Sequence, residues 1–187
     1  MEKTRESVFE TNSSSVHAFV ISKSGDYEAK GEVSFRCEDF GWEKRTFRST
    51  SDKASYVFVY VIDECYYGEE ISCSIAEEIV RRLSMWIEEE GCSVAFDVNG
   101  KELETAEEAF RELDKMYKSD EFSLPSIDHF SDAKEFIGEV TKSKEDFIEW
   151  LFNKNSVFMT GNDNSNEDVP YVSREEAEKS RGFVMYK

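Results

Sequence analysis

The segment Glu10–His17 reads ETNSSSVH, and its residue types suit phosphate chemistry. Hydroxyls from Thr11, Ser13, Ser14 and Ser15, the Asn12 amide and turn N–H groups can cradle a phosphate without adding net charge. His17 is one of only two histidines, and an imidazole can move a proton near neutral pH. Glu10 adds a carboxylate that could serve as its partner or as a second base. With RNA as substrate, the 2′-hydroxyl can be the nucleophile, so the protein need supply only acid–base groups and an anion site. A serine nucleophile activated by His17 finds no GxSxG or SxxK pattern in its support. The competing reading is an Asx or ST turn whose side chains bond their own backbone and set up the next strand.

A second cluster, Gly161, Asn162, Asp163 and Asn164, follows the apolar run SVFMT. Asp163 could join Glu167 and Asp168 in holding a hard cation such as Mg²⁺ through oxygen ligands. An EF-hand is excluded, since no register places Gly at the sixth and Glu at the twelfth position. The same residues also suit a polar turn that tolerates left-handed backbone. Lys44, Arg45, Arg48 and Lys53 lie beside Phe40, Trp42 and Phe47. Charge and stacking together could grip single-stranded RNA there. Alternatively, these are edge-strand charges that discourage aggregation. His129 sits between apolar neighbours in SIDHF and reads as structural.

Several elements must position these groups. HAFVIS (His17–Ser22) and EVSFRC (Glu32–Cys37) read as strands around a Gly25-Asp26 turn, with another strand near Lys44–Arg48. Ser51 and Asp52 could cap Lys53–Tyr67. Its run SYVFVYVI has strand propensity, but its length and capping favour a buried helix. Capping boxes at Ser74/Glu77 and Thr105/Glu108 predict two amphipathic helices, the first ended by Gly91. Ile75, Ile79, Leu83, Trp86 and Ile87 share one face of the first. Ala106, Ala109, Phe110, Leu113, Met116 and Tyr117 share one face of the second. SVAFDV and Asn99-Gly100 between them read as a strand and a tight turn. A helix from Ser131 to about Val140 and another begun by Ser143 come next. SVFMT is then a strand, Ser173/Glu176 a third capping box, and FVMY a closing strand. The expected fold is α+β: one mixed or antiparallel sheet against several amphipathic helices, in a single domain over 1–187.

Charge limits the function. The chain holds 23 basic and 41 acidic residues, a net of −18. Residues 62–121 carry 6 basic and 18 acidic residues, a net of −12, so the excess is concentrated in the middle third. Solvated helix faces account for some of this. The sharper implication is a surface for a basic partner, such as the nucleic-acid channel of another protein. Free DNA or RNA is disfavoured, because the phosphate term would be repulsive over most of the surface. No apolar run approaches the roughly 20 residues that span a bilayer, and MEKTRESVFE lacks a signal-peptide core. A cytoplasmic protein without membrane contact is expected. Cys37, Cys65, Cys73 and Cys92 lack CxxC spacing, which favours free thiols over disulfides or zinc.

FETNSSSVH near the N-terminus, with a strand-then-TGNDN segment near the C-terminus, resembles small proteins of phages and other mobile elements. Proteins of this size, acidity and origin include anti-CRISPR inhibitors of type II RNA-guided nucleases, one group of which is associated with guide-RNA truncation. The resemblance implies a CRISPR-associated nuclease and its guide RNA as partners in the host bacterial cytoplasm. Glu10, Thr11, Asn12, Ser13, Ser14, Ser15, His17, Gly161, Asn162, Asp163 and Asn164 become the site candidates. A partner-dependent ribonuclease would use Glu10, His17 and Asp163 as its catalytic groups. A purely steric nucleic-acid mimic and an unrelated metal-dependent phage enzyme are the alternatives.

Overall fold

The computed structural model describes residues 15–22, 27–41, 43–68, 71–119, 123–127, 133–162 and 180–186. Helix α1 (Thr50–Tyr66) lies at the centre, and every residue from Lys53 to Glu64 is buried. It starts three residues earlier than the expected Lys53, because Ser49, not Ser51 or Asp52, is the N-cap and accepts from the Asp52 N–H at 3.1 Å. Asp52 in the first turn complements the helix dipole. A helix apolar all round is stable only when surrounded, and α1 is surrounded. The strand propensity of SYVFVYVI yields to this packing.

One sheet has the order β3-β6-β1-β7, with β1 Ser15–Ser22, β3 Arg45–Phe47, β6 Val157–Asn162 and β7 Ser180–Tyr186. All its pairings are antiparallel. The other has the order β2-β4-β5: β2 Glu32–Arg36 and β4 Ser93–Val98 are parallel, and β5 Lys101–Leu103 returns antiparallel. The α+β class is as expected, with the strands divided between two sheets. The Asn99-Gly100 turn has both residues at positive φ (55° and 76°), the twist that suits a two-residue hairpin. Gly100 N–H donates to Asp97 Oδ1 at 2.8 Å, holding that turn.

Helix α1 joins the two sheets. Tyr56 meets Phe19 and Phe158 of the four-stranded sheet, and Phe58 meets Phe35 and Phe96 of the other. Strand β2 is an edge strand, and α1 covers it: Ser34 and Arg36 N–H donate to the Ser51 and Ser55 hydroxyls at 3.0 and 2.9 Å.

The remaining helices are α2 (Cys73–Glu89), α3 (Ala106–Ser119), α4 (Ala133–Thr141) and α5 (Lys144–Phe152). The Thr105/Glu108 box forms reciprocally, with Glu108 N–H donating to Thr105 Oγ1 and Thr105 N–H to Glu108 Oε2. The other box shifts: Ser72, not Ser74, caps α2, accepting from Ile75 N–H. Ile75 consequently sits in the first turn and is exposed, and Ala76, Val80, Leu83 and Ile87 are buried. Tyr117, expected on the buried stripe of α3, is likewise exposed. All four cysteines are free thiols, Cys73 being exposed. The Gly25-Asp26 turn, His129 and the Ser173/Glu176 box lie outside the described residues. Among the described residues no helix is long and apolar enough to cross a membrane.

Candidate functional site

The described ends of the two motif segments, Ser15–His17 and Thr160–Asn162, run side by side. Strand β1 pairs with β6 in the register Ser15↔Asn162, Val16↔Gly161 and His17↔Thr160. Gly161 and Asn162, read from sequence as the start of a loop, extend β6 instead. The register therefore brings the ends of ETNSSSVH and TGNDN to one end of the sheet. Glu10, Thr11, Asn12, Ser13, Ser14, Asp163 and Asn164 lie outside the described residues, as do Glu167 and Asp168 of the Mg²⁺ reading. Among the described residues no cluster of three or more His, Cys, Asp or Glu side chains could hold a metal ion.

His17 is 1 % exposed. Its Nδ1 shares a 2.8 Å hydrogen bond with the Tyr56 hydroxyl on α1. Cross-strand partners in an antiparallel sheet share a face. The register aligns Arg45, Thr160 and His17 in one row, and Phe47, Phe158 and Phe19 in the next row on that face. The aromatic row packs against Tyr56 and Phe40. His17 thus belongs to the polar margin of an aromatic core.

Lys44, Arg45 and Arg48 are exposed along the edge strand β3. Arg45 stands 4.7 Å from the centroid of Phe47. Phe40 and Phe47 are buried, so neither offers an open ring for base stacking. Lys53 leaves the surface cluster entirely. It is 1 % exposed, and Nζ donates to the carbonyls of Trp150, Leu151 and Asn153 at 3.1, 3.1 and 2.8 Å. The cation caps the C-terminal end of α5. Burial lowers its pKa to about 7, with Arg48 adding to the shift and Asp52 opposing it.

An accessible cleft of about 1010 Å³ opens beside this row. Thr160, Arg45 and Phe47 form its sheet wall. Asp63, Tyr67 and Gly68 at the end of α1 form a second wall, and the segments around Asp39–Glu43 and Ser123–Ile127 close it. The two segments are tied together: Phe40 and Ile127 form a parallel bridge, and Ser126 N–H donates to Asp39 Oδ1 at 3.0 Å. Thr160 Oγ1 donates to the Glu43 carbonyl at 2.7 Å. Asp63 is 7 % exposed, and its Oδ2 accepts from Ile127 N–H at 3.2 Å. Burial raises its pKa, the Ile127 bond pulls the other way, and Glu64 adds to the rise.

Sequence reasoning counts Asp63 only in the acid total of residues 62–121, although it falls within Lys53–Tyr67, a segment that reads as a buried helix. Its position in an otherwise apolar run, VFVYVID, was the available signal. His17 does not line the cleft; Thr160, its partner across the sheet, does. No protein-family model matches this chain, and neither a curated protein nor a solved structure matches it.

Proposed function

We propose that the protein inhibits a type II RNA-guided nuclease by docking its acidic helical half onto the basic channel that holds nucleic acid. The observation that carries this reading is the charge of residues 62–121, a net of −12. Much of it stands on exposed positions. Glu78, Glu88 and Glu89 of α2, Glu102 and Glu104 around β5, and Glu107 of α3 are exposed. A channel that recognises its guide by backbone and shape is strongly positive, and an acidic surface competes there with fast, salt-sensitive association. Occlusion is placed ahead of guide-RNA truncation, because His17 is buried against Tyr56 and away from the cleft wall.

Plasmid-interference and pull-down assays with a panel of type II nucleases test the reading. Protection and co-purification that weaken as salt rises are expected. No interaction at low salt across the panel sinks it. Guide-RNA length after incubation separates the two modes. Intact guide supports occlusion, and shortened guide that persists in His17→Ala locates any cleavage away from that residue.

A further inference from the structure

The junction of α1 and α2 holds a pair of thiols whose chemistry is independent of the inhibitor reading. We propose that Cys65 and Cys73 form a redox site, in which a peroxide oxidises Cys73 and Cys65 then closes a reversible disulfide. Cys65 stands in the last turn of α1, and Cys73 is the first residue of α2. The chain reverses between them. Tyr67 and Gly68 N–H both donate to the Asp63 carbonyl at 2.9 Å, which ends α1 and turns the chain back on it. The turn is tight at Gly68, where a Cβ would come within 3.0 Å of Glu64 Oε2 and 3.2 Å of Glu64 Cα. Ser72 then caps α2, and the Cys73 thiol returns to within hydrogen-bonding reach of the Cys65 thiol. Neighbouring thiols on a reversed chain need little backbone movement to be bridged.

Exposure orders the pair. Cys73 is exposed, and Cys65 is half-buried against the core. Burial pushes the Cys65 thiol up to about 12, with Cys73 and Asp114 adding to the rise. Cys65 therefore stays protonated while an oxidant meets Cys73 first. Tyr66 is a second, independent pointer to chemistry here. It is more than nine-tenths buried, and its hydroxyl has no hydrogen-bond partner among the described residues. Burial raises its pKa, and the Cys73 and Cys65 thiols beside it add to the rise. Sulfur is a weak acceptor, so the Cys73 thiol leaves this buried donor unsatisfied. An oxygen placed on the Cys73 sulfur supplies the acceptor it lacks.

The Cys73 thiolate attacks one peroxide oxygen. An S–O bond forms as the O–O bond breaks, and the leaving hydroxide takes up the proton that left the thiol. The product is a sulfenic acid, whose oxygen accepts from Tyr66 O–H. The Cys65 sulfur then attacks the Cys73 sulfur. The S–S bond forms, the S–O bond breaks, and the oxygen leaves as water with the Cys65 proton. Two electrons pass from the thiols to one peroxide, and a dithiol reductant returns them. Among the described residues no group of three His, Cys, Asp or Glu could hold a metal, so the pair lacks the ligands of a zinc site.

Titration of the full chain with hydrogen peroxide, followed by alkylation and peptide mass mapping, tests the site. A link between Cys65 and Cys73 of the same chain is expected, lighter by two hydrogens and reversed by dithiothreitol. Cys37 and the buried Cys92 should still be alkylated once the chain is denatured. Cys65→Ser should stop the reaction at a Cys73 sulfenic acid that dimedone traps. Cys73→Ser should slow peroxide consumption about tenfold or more. Tyr66→Phe keeps the ring against Tyr117 and, combined with Cys65→Ser, should lower the dimedone yield about threefold. Circular dichroism reports whether each variant is folded, and the wild-type map alone decides for any that is not. Separately alkylated Cys65 and Cys73 after excess peroxide, or links formed only between chains, overturn the proposal. So does peroxide consumption by Cys73→Ser at the wild-type rate. None of these readouts involves a nuclease.

Discussion

The two sheets bury different kinds of surface. The three-stranded sheet turns Val33, Phe35, Phe96 and Val98 inward and takes all its strands from one interval, Glu32–Leu103. The four-stranded sheet brings together β1 and β7 from opposite ends of the chain, and its inward face carries His17 and Thr160 beside its phenylalanines. Buried polar groups must be paired, so this face is tied by specific bonds to Tyr56 and to the Glu43 carbonyl. One sheet is an apolar support; the other holds polar groups next to a cleft. Helix α1 packs on both, so a perturbation of either should be felt through it.

The largest test asks whether the sheets unfold together. Phe158→Ala and Phe35→Ala each remove a fully buried ring and should each cost about 3–5 kcal/mol. With α1 shared, both variants should show one denaturant transition followed by circular dichroism. Two separated transitions would mean that the sheets are independent units, and the continuity inferred from Tyr56 and Phe58 would fail.

Next comes the tie between α1 and α5. Lys53→Met leaves three carbonyls of the α5 end without their donor and should cost about 3 kcal/mol. The folded Lys53 pKa of about 7 lies below the ordinary lysine value. Between those two values the unfolded chain binds more protons than the folded one, so this group makes stability rise with pH across that window. Wild type should therefore gain on Lys53→Met as pH rises from 7 towards 10. A constant difference across that range would refute the shift.

Tyr56→Phe removes the phenol that His17 Nδ1 meets and should cost about 1–3 kcal/mol, against well under 1 kcal/mol for Tyr27→Phe at an exposed pair with Glu90. Equal small losses would show that the polar margin of the four-stranded sheet is no more constrained than the surface.

Asp63→Asn should change stability in the opposite direction. The raised pKa of Asp63 means the folded chain binds more protons than the unfolded one above the ordinary carboxylate range. Its contribution therefore falls as pH rises through that range, and the Asn variant should melt higher than wild type at pH 7. The gap should close in acid, where both states are protonated. A lower melting temperature at pH 7 would show that the carboxylate is satisfied as it stands.

Periodicity and capping made the local elements legible. The Thr105/Glu108 box, the Ser143 cap and the Asn99-Gly100 turn are short-range hydrogen-bond chemistry, written in adjacent residues. Partners were not legible: nothing in HAFVIS or SVFMT states that β1 lies between β6 and β7, because strand pairing across the chain is set by tertiary packing. Ser72 displaced Ser74 as a cap because both are serines within reach of the same turn, and their hydroxyls share a 3.0 Å bond. The site was the least visible part. Charge totals count Asp63 without placing it, and the basic cluster puts Lys53 at the surface, an assignment that burial reverses.

The smallest stability effect gives the sharpest functional contrast. Glu88, Glu102 and Glu104 are exposed and have no ion pair among the described residues, so reversing all three to Lys should shift stability by only about 0.5 kcal/mol each. Lys44→Glu and Arg48→Glu, at exposed positions beside β3, form the comparison set. Association with a basic nuclease channel should respond very differently to the two sets. Reversal in the acidic half places like charge against the channel, slowing capture and flattening the salt dependence. Reversal on β3 adds acid to the chain and should leave capture unchanged or faster. Association rates at two ionic strengths separate these cases, and loss of capture from the β3 set alone would place the docking surface on the sheet instead of on the helices.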